Sequence, residues 1–444
     1  MRLAFGPKTM DIGTSAFNFM RTLMVAGTGG AEINECFHAA ERIKDNDPES
    51  WAREWTLAAE RAHHAATVAR AAGQAVTARG AYLRACTYYQ CAMHAPPELE
   101  ARLKLLTVSR ECFQEAAKLS SPRIETLEIQ FGDARLPAYF LRADTAEPGP
   151  RPTLLVLNGG DSTNEEMAHW IGFAATARGW NCLVLEGPGQ WSALQRNPGL
   201  VLQHDYEAPV KAVIDHLVRR DDVDSDKIAL FGPSLGSTLG ARVAAFEPRI
   251  CACVCDGLVV DVYEGWHAVW PLVLRKAPPR VFDVIFGLLE KLLPQLRGMA
   301  SQFRWMLGVS KPHEFINAWK PFSVRELAPN ITCPMLVLYG EAEAAQSNEK
   351  VGLSALRFIS QLSGPVSVRI FGYDQGWAAT HCQVGGLAAM HAVIFDWLEK
   401  ALDHPERLPR RDIGENFGPI FGRYVQTREA KQEIAAILKD MQGG

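Results

Sequence analysis

The sequence predicts an α/β fold: a mostly parallel sheet with helices on both faces, a helical N-terminal domain and a helical cap insertion. Three observations lead there. Short apolar runs recur between helical stretches at Thr153–Leu157, Cys182–Leu185, Ile228–Phe231, Ile250–Val254, Met335–Tyr339 and Val366–Phe371. Strands apolar on both faces and alternating with helices belong to a sheet that is covered on both sides. Residues 1–122 carry helix signals and almost no strand signals. Over residues 259–330 the strand–helix rhythm lapses into an aromatic, proline-punctuated helical stretch.

Taken in order, Asp47-Pro48-Glu49-Ser50 opens a helix in which Trp51, Trp55, Ala58 and Ala62 fall at helical spacing. Gly80–Met93 and Pro97–Leu119 continue in the same style. Gly27-Thr28-Gly29-Gly30 follows a helical pattern and lacks a Walker lysine, so it reads as a plain loop and not a nucleotide cradle. The character changes at Ser121-Pro122. Arg123–Phe131 and Ala134–Leu141 alternate like paired strands around Gly132-Asp133, opening a core that spans 123–258 and resumes over 331–403. The insertion between, 259–330, holds Trp266, Trp270, Phe282, Phe286, Phe303, Trp305 and Trp319 and reads as a cap. The tail, 404–444, ends in a helix from about Thr427, whose stripe of Ile434, Ile437, Leu438 and Met441 suits an intramolecular or subunit contact, such as a homodimer, better than a membrane.

Composition narrows the partners. A hydrophobic share of 48% and a charged share of 22% in 444 residues fit a packed core. A net charge of −4 offers no basic field for phosphates, which argues against nucleic acid. Met1–Thr14 lacks a basic stretch followed by an apolar run, so no secretory signal is read. No stretch spans a bilayer: Asp256 breaks Ile250–Val262, and Asp283 and Glu290 break Val281–Leu293. The ten cysteines are irregularly spaced, consistent with reduced thiols and a cytoplasmic location. Cys251, Cys253 and Cys255 would share one strand face, where three ligands cannot easily surround an ion, so no metal is expected.

The chemistry centres on Gly232-Pro233-Ser234-Leu235-Gly236. A Gly-x-Ser-x-Gly match arises by chance in about one chain in seven of this length, so its context carries the weight. Lys227–Phe231 reads as a strand ending at the motif, and Ser237–Phe246 as a helix beginning after it. Ser234 then sits on a sharp strand-to-helix turn that only flanking glycines permit, as in the nucleophile elbow of α/β-hydrolases. A serine hydroxyl needs a base held by an acid, and in that fold they follow in the order serine, acid, histidine. Among twelve histidines, His381 falls in the loop after the strand ending at Phe371 and before a helix, whereas His391 and His404 lie within or beyond that helix. Met335–Gly340 runs into Glu341-Ala342-Glu343; Glu343 takes the usual acid position, with Glu341 and Asp374 as competitors. Leu154–Leu157 leads into Asn158-Gly159-Gly160-Asp161, so the amide of Gly160 or Asp161 should join that of Leu235 in holding an oxyanion. No glycine fingerprint follows the first core strand, so no flavin, nicotinamide or other cofactor is expected.

These residues resemble one α/β-hydrolase branch, which contains 2,6-dihydroxypseudooxynicotine hydrolase and the fungal pigment hydrolases that shorten polyketide chains. The likeness is carried by Asn158–Glu166, Gly187-Pro188-Gly189-Gln190, Asp205-Tyr206-Glu207, Ala244–Arg249 and Thr380-His381-Cys382-Gln383. Trp51-Ala52-Arg53-Glu54-Trp55 and Tyr82-Leu83-Arg84-Ala85 look like its helical N-terminal region. The resemblance implies hydrolysis of a carbon–carbon bond beside a carbonyl, in secondary metabolism, with Ser234 as nucleophile and His381 as base. Glu343 stands where the family has aspartate, and Ser237 where it usually has glycine. It also implies a further carboxylate near the cap entrance, for which Glu264 and Asp261 are the candidates, with Trp266 beside them. The implied reaction is a retro-Claisen cleavage of a small-molecule polyketide or aromatic ketone. A carboxylesterase or acyl-transferring enzyme would use the same residues. A cyclase, lyase or binding scaffold would not need Ser234.

Overall fold

The alternating pattern at the start of the core becomes β1 (Ile124–Phe131) and β2 (Ala134–Leu141), an antiparallel hairpin that pairs Ile124 with Leu141 and Phe131 with Ala134. The apolar runs become β3 (Arg151–Leu157), β4 (Asn181–Leu185), β5 (Val223–Pro233), β6 (Ile250–Asp256), β7 (Met335–Gly340) and β8 (Val366–Phe371). A three-residue edge strand unforeseen from the sequence, β9 (Arg411–Ile413), pairs with β8. Together they form one nine-stranded sheet in the order β1-β2-β4-β3-β5-β6-β7-β8-β9, parallel from β4 onward. The computed structural model describes residues 15–44, 47–145, 147–268, 270–346 and 349–443, so the start Met1–Thr14 lies outside the described residues.

The two-residue strand period sends alternate side chains into two separate cores. Leu154, Val156, Ala229 and Phe231 meet Phe19, Trp55, Tyr88 and Phe113 of the N-terminal helices. Leu155, Leu157 and Leu230 meet Phe286, Phe315 and Trp319 of the inserted helices.

The N-terminal helices are α1 (Ser15–Leu23), α2 (Ile33–Ala40), α3 (Pro48–Ala71), α4 (Ala75–Met93) and α5 (Leu99–Lys118). Helix α3 starts where capping chemistry predicts, with Asp47 Oδ1 accepting from Ser50 N at 3.0 Å and Pro48 in the first turn. Its Trp55 is fully buried against Tyr88 of α4, ring centroids 5.6 Å apart; side chains of this size contribute about 1.5–3 kcal/mol each on burial. Gly27 and Thr28, read from the sequence as part of a plain loop, instead close a 3-10 helix, Met24–Thr28, after which Gly29 at φ 77° and Gly30 turn the chain toward α2.

Between β6 and β7 the chain runs through helices Val262–Ala268, Leu272–Arg275, Pro279–Leu292, Pro294–Leu307 and Pro312–Ala318. In the tail, helix Arg428–Gly443 buries Ala430, Ile434 and Met441 against helix Glu349–Ser360, where Arg357 Nη2 donates to Glu433 Oε2 at 2.9 Å. Of the apolar stripe of the tail, Ile434 and Met441 are buried within the chain, and Ile437 and Leu438 are partly buried against the same core. No helix among the described residues is long and apolar enough to cross a membrane.

Candidate active site

Strand β5 ends at Pro233 and helix Leu235–Phe246 begins two residues later, leaving Ser234 at φ 53° and ψ −122°. A non-glycine residue there is strained by about 1–3 kcal/mol and persists only where its surroundings fix it. They do so here: Ser234 N donates to Asp256 O at 2.7 Å, and Ser237 N to Ser234 O at 2.9 Å. The flanking glycines are required by backbone proximity. A Cβ on Gly232 would lie 2.1 Å from Gly236 O, and one on Gly236 would lie 2.5 Å from Leu157 O. The side chain of Ser234 opens into a cavity that His381 also lines.

His381 follows β8, in a short turn from His381 to Gln383. Its Nδ1 donates to Glu343 Oε1 at 2.6 Å, and Glu343 Oε2 accepts from Gly340 N at 2.6 Å. This contact fixes the proton on Nδ1 and frees Nε2 to act as a base. Burial disfavours the charged ring, but the charge of Glu343 and its hydrogen bond outweigh it and raise the His381 pKa above its ordinary value. Of the three candidate acids, Glu343 alone is bonded to His381. Glu341 is buried elsewhere, accepting from Tyr373 N at 2.8 Å, Tyr424 Oη at 2.9 Å and Arg423 Nη1 at 3.1 Å. Asp374 lies in the turn after β8, against Gly372.

Two neighbours of the pair, to which the sequence gives no role, bear on its geometry. Gly257 has φ +69°, and a Cβ on it would sit 2.8 Å from Glu343 Oε1 and 3.1 Å from His381 Cε1. Cys382 Sγ stands 3.5 Å from His381 Nε2 and donates to Asp256 O at 3.6 Å. Burial, aided by Asp256 and Glu343, pushes that thiol well up, which disfavours a thiolate. Asp256 is fully buried at the end of β6; burial and the charge of Glu343 raise its pKa and favour its protonated form.

Across from Ser234 runs the loop after β3. Gly159 N donates to Ser162 Oγ at 2.7 Å, so that amide is taken. The loop is pinned by its carbonyls: Gln190 Nε2 donates to Asn158 O at 2.9 Å, Gln302 Nε2 to Gly160 O at 3.1 Å, and Trp191 Nε1 to Asp161 O at 3.1 Å. A Cβ on Gly159 would approach Ser234 Cβ to 3.6 Å. Leu235 opens its helix, and a first-turn amide has no partner within the helix. Leu235, Gly160 and Asp161 line the cavity together with Ser234. A serine hydroxyl, an imidazole and residues with free amides lining one space can support attack on a carbonyl and hold the resulting oxyanion.

The cavity encloses about 640 Å³ and is walled by Trp266, Phe303 and Trp319 of the insertion. Trp266 packs edge-on to Phe303 at 5.5 Å between centroids. Asp261 and Glu264 do not line it. Asp261 Oδ1 caps the next helix by accepting from Glu264 N at 2.9 Å, and Arg325 Nη2 reaches Glu264 Oε2 at 2.7 Å and Asp261 Oδ2 at 3.6 Å. A substrate-contact role for these two carboxylates has no geometric support, because Arg325 turns both toward itself. The far wall comes from the N-terminal helices: Phe17, Asn18 and Arg21 of α1, with His94 and Arg102. Burial and the nearby Arg21 push the His94 pKa down to about 3, so it is a neutral wall group.

Comparison with known proteins agrees with this architecture. Hydrolase LUC6 of a Fusarium species is 29% identical over 409 residues, covering 86% of this chain and 95% of its own length. The 20-hydroxy-prefusarin hydrolase FUS2 of Gibberella moniliformis is 29% identical over 408 residues, covering 86% and 95%. The crystal structure of 2,6-dihydroxy-pseudo-oxynicotine hydrolase shares the fold, with a TM-score of 0.71 at 22% identity over 89% of this chain and 99% of that one. A family model described as esterase FrsA-like matches residues 45–306, more than half of the chain. The protein is therefore a hydrolase and belongs to the FrsA-like esterase family of α/β-hydrolases.

Proposed function

We propose that the protein is a serine hydrolase that cleaves a carbon–carbon bond beside a carbonyl in a polyketide-like or aromatic ketone. Ser234 attacks the ketone after His381 takes its proton, and Glu343 holds the imidazole and stabilises its charged form. The amides of Leu235 and of Gly160 or Asp161 hold the tetrahedral oxyanion. Collapse expels an enolate, His381 returns the proton to its carbon, and water then releases the acyl group from Ser234. The observation that carries this proposal is the cavity itself, where Ser234 and the Glu343-paired His381 face an aromatic wall of Trp266, Phe303 and Trp319. An aromatic wall suits a flat conjugated substrate, on which it can stack. The name of the relative FUS2, a 20-hydroxy-prefusarin hydrolase, supports a secondary-metabolite substrate.

A second reading, ester hydrolysis or acyl transfer, is favoured by the esterase description of the family. Parallel turnover of a p-nitrophenyl ester and a 1,3-diketone separates the two. Rapid ester cleavage with an untouched diketone would overturn the carbon–carbon reading and leave the serine mechanism in place. We further assign the protein to the cytoplasm, where its ten cysteines stay reduced. The tail stripe that motivated a homodimer packs on the chain's own core, with Ile434 and Met441 buried and Ile437 and Leu438 partly so, and gives a dimer no support.

A further inference from the structure

The loop after β3 carries Asp161 beside the amides assigned to the oxyanion, and the short helix Asn164–Met167 that follows carries Glu165 and Glu166. Asp161 thus brings a negative charge to the residue whose amide is to hold another. A like charge so placed opposes the oxyanion. Glu165 is turned away, accepting from Tyr139 Oη at 2.8 Å.

The charge of Asp161 is answered from the far end of the sequence. Arg21 of α1 donates through Nη1 to Asp161 Oδ2 at 2.7 Å and through Nη2 to Glu166 Oε2 at 2.6 Å, with its Nε on Glu166 Oε1. Arg21 is only 7% exposed and lines the cavity alongside Ser234, Leu235 and Gly160. Burial pushes the Asp161 carboxyl up, but Arg21 overcomes it and holds the group ionised, below the usual carboxylate range. Glu166 aims the guanidinium by a two-point contact, leaving the remaining edge for Asp161. A lysine has no such fork. The same loop is tied to α4, where Gln90 Nε2 donates to Thr163 Oγ1 at 2.6 Å.

We propose that Arg21 is a positioning and charge-neutralising residue of the active site: it holds Asp161 so that its carboxylate does not oppose the oxyanion formed on Ser234. This rests on the assignment of Ser234 as nucleophile and of Gly160 or Asp161 as oxyanion donor. It makes the N-terminal helical region a part of the catalytic apparatus as well as a wall of the cavity.

The test is the hydrolysis of p-nitrophenyl acetate by the full chain carrying Arg21→Met, Asp161→Asn, or both, with Ser234→Ala as reference and thermal melting as the check on folding. Arg21→Met should lower kcat about tenfold or more while KM changes little, as for loss of transition-state stabilisation. The double variant should regain kcat to within about threefold of Asp161→Asn alone, because residue 161 is then neutral and Glu166, whose pKa burial already raises, takes up a proton once Arg21 is gone. A double variant as slow as Arg21→Met, or an unimpaired Arg21→Met, would overturn the proposal. If Arg21→Met does not fold, Arg21→Lys decides: it keeps the charge and loses the fork, so kcat should fall about threefold or more with KM little changed, and an unimpaired kcat or an effect on KM alone would overturn the proposal. Activity surviving Ser234→Ala would instead overturn the nucleophile assignment on which the proposal stands.

Discussion

Glu343 reaches His381 from the end of β7, its Oε1 accepting from Nδ1 at 2.6 Å while Oε2 is held by the amide of Gly340 at 2.6 Å. The residue after Gly340, Glu341, has the same chemistry but is turned to Arg423 and Tyr424. Glu343→Gln should therefore lower kcat by about 10³–10⁴-fold, as loss of a triad acid does. Glu341→Gln should leave kcat within a few-fold and lower the melting temperature, because it weakens a buried hydrogen-bonded network worth about 1–3 kcal/mol. Steady-state kinetics and melting curves on both variants check this.

The same pair sets a pH dependence. In the proposed mechanism His381 acts as a neutral base, and Glu343 holds its pKa above the ordinary value against burial. Removing that charge leaves burial as the dominant influence, so the acid limb of the pH–kcat/KM profile should shift to lower pH in Glu343→Gln. For stability, a folded pKa above the unfolded one stabilises at pH below the unfolded pKa, and the gain is lost as pH rises through the folded pKa. The melting-temperature advantage of the wild type over Glu343→Gln should accordingly narrow as pH increases through that window.

Gly257 guards the acid–base pair. Its φ of +69° and the 2.8 Å that would separate an added Cβ from Glu343 Oε1 leave no room for a side chain. Gly257→Ala should destabilise the fold by about 1–2 kcal/mol and lower kcat about tenfold or more by displacing Glu343. Loss of kcat in a variant that still melts cooperatively distinguishes this from simple unfolding.

Trp266 and Phe303 form the wall facing the nucleophile. Trp266→Ala should raise KM for a naphthyl or cinnamyl ester by about tenfold or more, the order of one lost aromatic contact, and leave an acetyl ester nearly unaffected. Equal effects on both esters would argue that Trp266 only packs the insertion.

Much of this architecture is legible in the sequence because it is written locally. Six of the strands follow from apolar runs, and Ser234 is marked by a strand before it and a helix after it. His381 and Glu343 are found by counting from strand ends, since the sheet fixes where each loop emerges. What is not legible depends on distant partners. Arg21 lies 140 residues from Asp161, and nothing in the local pattern of α1 distinguishes its buried guanidinium from a solvated one. Asp261 and Glu264 occupy the expected stretch of chain, but their direction is decided by Arg325, about which their own spacing says nothing. The edge strand β9 escapes because three residues are too few to show a period.

The most direct test of the central claim is mass spectrometry of the Ser234 peptide after rapid mixing with a p-nitrophenyl ester and acid quench, in the wild type and in Ser234→Ala. A serine nucleophile requires the acyl mass on Ser234 in the wild type, with turnover lost in Ser234→Ala by about 10⁶-fold, the scale for a triad serine. An acyl group found on Cys382, or turnover undiminished in Ser234→Ala, would contradict it.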